Sequence, residues 1–216
     1  DPAENHTVWA KYWTPAERGP HPAMILLHWL GGTFEALEIV AYRMAELGVC
    51  TLAPSLPHYG KRRSKGESML TLSMEKTLRN FRQAVLDVRR CGDWLAARGE
   101  VDPARIGVLG ISLGAIVGSL AAGVDGNFAS VVLVIGGGDL PSIVWNDSPE
   151  IQQIREELTK HGYTPEKIRE EWKGIEPLTI VLVLGLFGVY AFVVSVQNAH
   201  YYSAPYLSPF YSPCLT

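Results

Sequence analysis

The fold of this 216-residue chain is decided by the stretch Gly107-Val108-Leu109-Gly110-Ile111-Ser112-Leu113-Gly114-Ala115. It is an apolar run that ends in a serine between two glycines and continues as small residues. A serine on a strained turn between a strand and a helix needs such glycines, because side chains there would collide with the neighbouring strand and helix. The stretch therefore predicts a strand over 106–109, a helix over 113–122 and a serine at the turn between them.

Strands and helices are expected to alternate on both sides of this turn. Apolar residues at helical spacing predict helices over 34–47 and 74–98, the second with a polar face that includes Asp87. Three short apolar runs predict buried strands at 24–27, 49–53 and 131–135. One run that alternates apolar and polar residues predicts an edge strand at 8–13. This order indicates an α/β fold with a doubly wound, mostly parallel sheet.

Charge divides the chain into two parts. Acidic and basic residues are spread evenly up to Glu176, and residues 177–216 contain none. We therefore expect one α/β domain over 1–178, in which 141–178 forms a helical insert where a lid could lie. The insert contains a helix over 149–161 and a second helix that opens at Thr164-Pro165-Glu166, an N-cap followed by proline.

The charge-free part begins with a long apolar run. Residues 179–196 read TIVLVLGLFGVYAFVVSV and would extend about 27 Å as a helix, near the thickness of a bilayer core. A transmembrane helix is the preferred interpretation, and a buried helix or a pair of strands is the alternative. The tail, 197–216, is rich in aromatic residues and proline, which suits an interfacial or extended segment.

Composition excludes several classes of function. The net charge is −3 and the isoelectric point is about 6.1, so nucleic acid is not an expected partner. The one dense basic run, 61–65, is interpreted as a solvated loop. The three cysteines, Cys50, Cys91 and Cys214, form no C-x-x-C pair. Neither a metal nor an organic cofactor is expected.

A second motif agrees with the serine turn. Residues 25–32, ILLHWLGG, are an apolar strand that ends in His-x-x-Gly-Gly. With the serine turn and with the segments 53–60 and 101–106, this motif resembles the α/β-hydrolase superfamily, and more closely its dienelactone-hydrolase and acyl-peptidase-like esterase branches, over about residues 8–178. Trp29 departs from the pattern, since glycine is usual after this histidine, and its bulk is expected to narrow the oxyanion hole.

The resemblance implies roles for three residues. Ser112 is the expected nucleophile, and the backbone N–H groups of Leu30 and Leu113 are the expected oxyanion hole. The Leu113 N–H also lies at the positive end of the predicted helix dipole. The reaction implied is hydrolysis of an ester or similar acyl bond in a small molecule.

The acid and the base have weaker candidates. In the superfamily an Asp or Glu and then a His follow the nucleophile, but the usual segment is expected to be missing after residue 178 and replaced by the hydrophobic anchor. Asp139 follows the strand after Ser112 and is the candidate acid, with a loop cap as its alternative role. His200 and His161 are weak candidate bases. His28 is expected to be a structural residue of its turn, and His58 to cap or pack the next loop.

The sequence therefore predicts a serine hydrolase impaired by the missing acid and histidine segment. Two alternatives stay open: an inactive, membrane-tethered hydrolase fold that serves as a binding module, and a chimeric or truncated product joined near residue 178. Lysine and arginine precede the apolar run and none follows it, which places the domain on the cytoplasmic side if the run spans a membrane. Without a span, a cytoplasmic protein is expected, because no signal peptide is visible after Asp1.

Overall fold

A computed structural model describes residues 3–32, 34–136, 140–145, 149–172 and 191–194. The described strands are β1 (Ala10–Trp13), β2 (His21–Leu27), β3 (Cys50–Pro54), β4 (Val101–Ile111), β5 (Ser130–Val134) and β6 (Ala191–Val194). The described helices are α1 (Phe34–Glu46), α2 (Met74–Ala96), α3 (Leu113–Val124), α4 (Leu140–Val144), α5 (Pro149–Lys160) and α6 (Pro165–Glu171).

The strands form one sheet in the order β1-β3-β2-β4-β5-β6. The β1 strand is antiparallel to β3, and every other pairing is parallel. The two faces of β2 are covered by different helices: Leu26 packs in a cluster with residues of α1, whereas Ile25 and Leu27 pack in the larger core with residues of α2 and α3. The doubly wound, mostly parallel sheet predicted from the sequence is confirmed.

The helical insert packs onto the domain. Thr164 caps α6 as expected, its side chain accepting a hydrogen bond from the N–H of Lys167. Leu158, Ile168 and Trp172 are buried in the larger core, and the Trp172 indole contacts the Met74 sulfur at the start of α2. The described part of the insert is therefore anchored in the core. The short helix α4 was not predicted.

The predicted transmembrane helix over 179–196 is wrong for the four residues of it that the structure describes. Ala191–Val194 form β6, parallel to β5 with Val131 opposite Ala191. The backbone N–H and C=O groups along the edge of β5 are open to pairing with a further strand, and the backbone of this short run pairs with them. Of the helices in the described ranges, none is both long and apolar enough to cross a membrane. The rest of 179–196 and the tail 197–216 lie outside the described residues.

The basic run is not a fully solvated loop, because Arg62 is 0% exposed. Its Nη1 donates to the Ser55 carbonyl oxygen and its Nη2 to the Asn5 carbonyl oxygen, both at 2.8 Å. Nη1 also lies 2.8 Å from a carboxylate oxygen of Asp87. Asp87 is likewise buried, so its assignment to the polar face of α2 was wrong. A guanidinium offers five donors, which lets one side chain tie this loop to the N-terminal segment and to α2.

Candidate active site

Ser112 lies at the turn between β4 and α3, where the sequence predicted it. Its backbone has a positive φ, with φ 51° and ψ −112°, a conformation that non-glycine residues rarely adopt. Its N–H donates to the Val134 carbonyl oxygen at 2.8 Å, and its own carbonyl accepts from Ala115 and Ile116 at the start of α3. Such a backbone costs a non-glycine residue about 1–3 kcal/mol and persists only when its surroundings hold it there. The bonds to β5 and α3 supply that constraint.

The two glycines that flank the serine are required by close backbone contacts. A Cβ added to Gly110 would lie 2.1 Å from the carbonyl oxygen of Gly114. A Cβ added to Gly114 would lie 2.3 Å from the carbonyl oxygen of Leu27, at the end of β2. Any side chain at either position would push the strand, the helix and the neighbouring strand apart. The spacing Gly-x-Ser-x-Gly is therefore a packing requirement of this turn.

A second strained residue lies beside Ser112. Ile135 follows the end of β5 with φ 53° and is 54% exposed. Ile111 is paired with Val134 in the sheet, so Ser112 and Ile135 leave two neighbouring parallel strands at the same level. A β-branched residue with positive φ is a backbone outlier. No sequence pattern predicts this positive φ, because Ile135 closes an ordinary apolar run.

The His-x-x-Gly-Gly motif forms a tight turn after β2 (residues 28–32), which we call the oxyanion turn after the role expected of it from the sequence. The N–H of Gly32 donates to the Trp29 carbonyl oxygen at 3.0 Å. A Cβ on Gly114 would lie 2.8 Å from the His28 carbonyl oxygen, so the oxyanion turn lies directly against the first turn of α3. Leu30 and Leu113 are thus brought to the same edge of the sheet. The Leu113 N–H occupies the first helical position, which has no acceptor within the helix.

The bulk of Trp29 is accommodated away from α3. Two of its ring atoms lie 3.0 and 3.1 Å from where a Cβ on Gly32 would stand. The side chain packs with the α1-side cluster, which contains Leu26, Leu37 and Ala41. The ring therefore packs on the α1 side of the sheet, and the narrowing of the oxyanion hole stays a prediction.

His28 is a structural residue of the turn, as predicted. It is 2% exposed, and both ring nitrogens are engaged: Nδ1 donates to the Trp29 carbonyl oxygen at 2.9 Å and Nε2 accepts from the Leu56 N–H at 3.3 Å. Burial lowers the pKa of His28, and the hydrogen bond to Trp29 opposes this effect only in part. A neutral imidazole with both nitrogens occupied cannot take a proton from Ser112.

Two further described histidines, His58 and His161, make hydrogen bonds away from Ser112. His58 is buried between Asn5, which contacts its Nδ1 at 3.1 Å, and Asn80, which contacts its Nε2 at 3.0 Å. Its packing role in the loop was predicted. His161 is exposed at the end of α5, where its Nδ1 bonds the Glu157 carbonyl oxygen at 2.8 Å. Within the described residues no hydrogen bond joins Ser112 Oγ to a histidine. Asp139 and His200 lie outside the described residues.

No group of metal-ligating side chains occurs in the part of the chain that the structure describes. A shallow cavity of about 410 Å³ lies at the amino ends of β2 and β4, the edge of the sheet opposite Ser112. Its polar lining includes Glu17, Arg18, His21 and Glu100. This cavity is separate from the serine turn, which stands at the carboxyl ends of the strands.

Solved structures with a similar fold include esterases. The chain superposes on an acetyl xylan esterase from Paenibacillus sp. R4 with a TM-score of 0.64 and 20% identity, over 87% of this chain and 63% of that one. For acetyl xylan esterase 1 of Thermoanaerobacterium sp. JW/SL YS485 the TM-score is 0.57 at 22% identity, over 87% and 62%. The TM-score with Est1E of Butyrivibrio proteoclasticus, solved with ferulic acid, is 0.53 at 15% identity, over 88% of this chain and 85% of that one.

Sequence comparisons divide the chain near the point where charge disappears. An uncharacterized protein of Mycobacterium tuberculosis is 28% identical over 128 residues, and the match spans 56% of this chain but 30% of that protein. Residues 175–216 match the family of the actinobacterial succinate dehydrogenase subunit SdhC. Residues 9–164 match the dienelactone hydrolase family. The chain therefore belongs to the dienelactone hydrolase family and carries an α/β-hydrolase fold.

Proposed function

We propose that this chain is a serine hydrolase that cleaves an ester or similar acyl bond of a small molecule, with Ser112 as the nucleophile. One observation carries the proposal: Ser112 has a strained backbone with positive φ between β4 and α3, at the carboxyl edge of the sheet. Such strain is concentrated at functional sites, and this turn presents the serine hydroxyl beyond the sheet in serine hydrolases. Membership of the dienelactone hydrolase family supports the same chemistry.

The proposed reaction has two steps. Ser112 Oγ attacks the carbonyl carbon, its proton passes to a base, and the Leu30 and Leu113 N–H groups stabilise the negative oxygen of the tetrahedral intermediate. The alcohol leaves with a proton and an acyl-enzyme remains. Water then attacks the acyl carbon, which releases the acid and restores the Ser112 hydroxyl.

The base and the acid have less support from the described residues than the nucleophile has. His28 and His58 are engaged in buried hydrogen bonds, so they are unsuited to the task. We propose His200, with His161 as a second candidate, for the base and Asp139 for the acid. A serine without an efficient base loses several powers of ten in rate, while an oxyanion hole and a binding site retain some catalysis.

Hydrolysis of short acyl esters tests the proposal. We expect turnover far below the ordinary enzyme rate of about 10 per second, yet above that of Ser112→Ala. Ser119→Ala is the matched control, because Ser119 is a buried serine of α3 whose hydroxyl donates to the Ile116 carbonyl oxygen. Equal rates for the wild type and Ser112→Ala would refute the proposal. Turnover near the ordinary rate would identify an efficient base, to be located with His200→Gln and His161→Gln.

A second candidate function is that of a membrane-tethered module. Its supporting observation is the coincidence of three boundaries: the hydrolase match ends at 164, the match to the SdhC family begins at 175, and charge is absent from 177 onward. In this candidate, 179–196 would hold the domain at the cytoplasmic face of a membrane, which requires Ala191–Val194 to leave their place beside β5. The same coincidence suits a chimera joined near residue 178.

Carbonate extraction of membranes tests the anchor. Retention of the chain in the membrane fraction supports it, and release into the soluble fraction refutes it. Release is the expected result if Ala191–Val194 keep their place beside β5.

A further inference from the structure

The loop after β3 is held in place by hydrogen bonds and an ion pair between buried polar groups. We call residues 55–62 the support loop. Arg62, at its end, is fully buried, donates to the carbonyl oxygens of Ser55 and Asn5, and is paired with Asp87 of α2. Breaking a buried charge pair is far more costly than rearranging an exposed one, so this end of the support loop is fixed.

The middle of the support loop is held in the same way. His58 has φ 67°, and its ring lies between Asn5 and Asn80. Its N–H also donates to Asn5 Oδ1 at 3.1 Å. Tyr59, the next residue, closes a turn by donating its N–H to the Leu56 carbonyl oxygen at 3.1 Å. The backbone that carries the Tyr59 side chain is therefore held in one position.

Tyr59 contacts the oxyanion turn at two points. Its hydroxyl oxygen accepts a hydrogen bond from the Gly31 N–H at 3.3 Å. Its ring meets the His28 ring nearly edge-on, with centroids 4.4 Å apart and planes at 67°. Tyr59 is 8% exposed, and this burial raises the pKa of its hydroxyl, which stays protonated at neutral pH.

Both contacts act on the peptides that flank Leu30. The Trp29 carbonyl, which shares a peptide with the Leu30 N–H, accepts from His28 Nδ1 and from the Gly32 N–H. The Gly31 N–H, in the following peptide, is held by the Tyr59 hydroxyl. Gly31 has φ 70° and no atom within 4 Å of where its Cβ would be, so packing alone does not fix this peptide.

We propose that Tyr59 is a positioning residue that orients the oxyanion turn, and with it the Leu30 N–H, toward Ser112. The inference rests on the proposed function, because an oxyanion donor has a purpose only if Ser112 attacks a carbonyl. Oxyanion donors act through preorganisation: they stabilise developing charge because they already point at it. Removing one such donor lowers kcat by about 10²–10³. Loosening it indirectly is expected to lower kcat by about tenfold.

The test is Tyr59→Phe, which keeps the ring against His28 and removes only the hydroxyl. Tyr42→Phe is the matched control, because Tyr42 is 59% exposed on α1. Hydrogen–deuterium exchange of a peptide covering residues 28–32 is the first readout. We expect its exchange to accelerate about fivefold to tenfold in Tyr59→Phe, as loss of one hydrogen bond implies. The control is expected to exchange as the wild type does.

The second readout is the rate of hydrolysis of a short acyl ester. We expect kcat per folded molecule to fall about tenfold in Tyr59→Phe with KM unchanged. Circular dichroism measures the folded fraction of each variant, because partial unfolding would also lower the apparent kcat. Unchanged exchange of residues 28–32 overturns the inference, and so does faster exchange with unchanged kcat. If the wild type shows no Ser112-dependent hydrolysis, the proposed function fails. The exchange readout still decides then whether Tyr59 holds the turn.

Discussion

The backbone N–H of Ser112 donates a 2.8 Å hydrogen bond to the carbonyl oxygen of Val134. That bond joins the residue after β4 to the last residue of β5. It brings two residues with positive φ, Ser112 and Ile135, close to each other. Strain of this kind is maintained only by surrounding structure. The account therefore predicts that relief of strain at Ile135 and damage to the packing around Ser112 have opposite effects on stability.

Ile135→Asn is expected to raise the free energy of unfolding by about 1 kcal/mol, because asparagine tolerates the left-handed region far better than a β-branched residue. The urea midpoint measures the change. Ile39→Asn is the matched control, an exposed isoleucine of α1 without positive φ, and no gain is expected there. A lower midpoint for Ile135→Asn would show that the Ile135 side chain contributes more than its backbone costs.

Gly114→Ala is expected to destabilise the domain by several kcal/mol or to prevent folding, since the new methyl group would lie 2.3 Å from the Leu27 carbonyl oxygen. Large losses of this kind are typical of overpacking and backbone strain. Gly126→Ala is the control, because nothing lies within 4 Å of the corresponding Cβ. Thermal unfolding followed by circular dichroism compares the two variants. Equal melting temperatures would contradict the close approach of α3 and β2.

Asp87→Asn is expected to cost about 3–5 kcal/mol, because it leaves the charge of Arg62 buried without a counter-charge. The double variant Arg62→Met with Asp87→Leu is expected to recover much of the loss, since it removes both charges. Asp125→Asn breaks the partly exposed pair with Arg89 and serves as control, with an expected cost below about 1 kcal/mol. Chemical unfolding measures all three. A double variant less stable than Asp87→Asn would refute this account of the pair.

His28 is expected to make stability depend on pH. Burial lowers its pKa in the folded chain below the ordinary value of 6.5, so below pH 6.5 the unfolded chain binds the proton more readily than the native one. The contribution of His28 is therefore fully present above pH 6.5 and declines as the pH falls. Urea midpoints at pH 7.5 and about 5.5 should differ less in His28→Gln than in the wild type. His161→Gln, which removes an exposed imidazole, is the control. An unchanged pH dependence in His28→Gln would contradict the prediction.

Much of the fold was predictable because its signals are local. Apolar runs, helical spacing, the Thr164 cap and the glycines around Ser112 each act within a few residues, and the corresponding elements are present in the structure. The oxyanion turn was also visible as His-x-x-Gly-Gly. Its contact with α3 follows because parallel strands end at the same edge of the sheet.

The features that the sequence did not predict depend on contacts between distant segments. Arg62 looked like part of a solvated basic run because its partners, Asn5 and Asp87, lie far away in the chain. The Tyr59 hydroxyl reaches Gly31 across two loops, and no spacing rule connects them. Ala191–Val194 form a strand because the edge of β5 is open to them, although the surrounding run is long enough for a helix.

A covalent adduct on Ser112 would show that this serine is a nucleophile. The chain is incubated with a fluorophosphonate probe, digested, and examined by tandem mass spectrometry to locate the modified residue. We expect slow, single-site labelling of Ser112 that disappears in Ser112→Ala and persists in Ser119→Ala. An adduct on another residue, or equal labelling of the wild type and Ser112→Ala, would contradict this expectation.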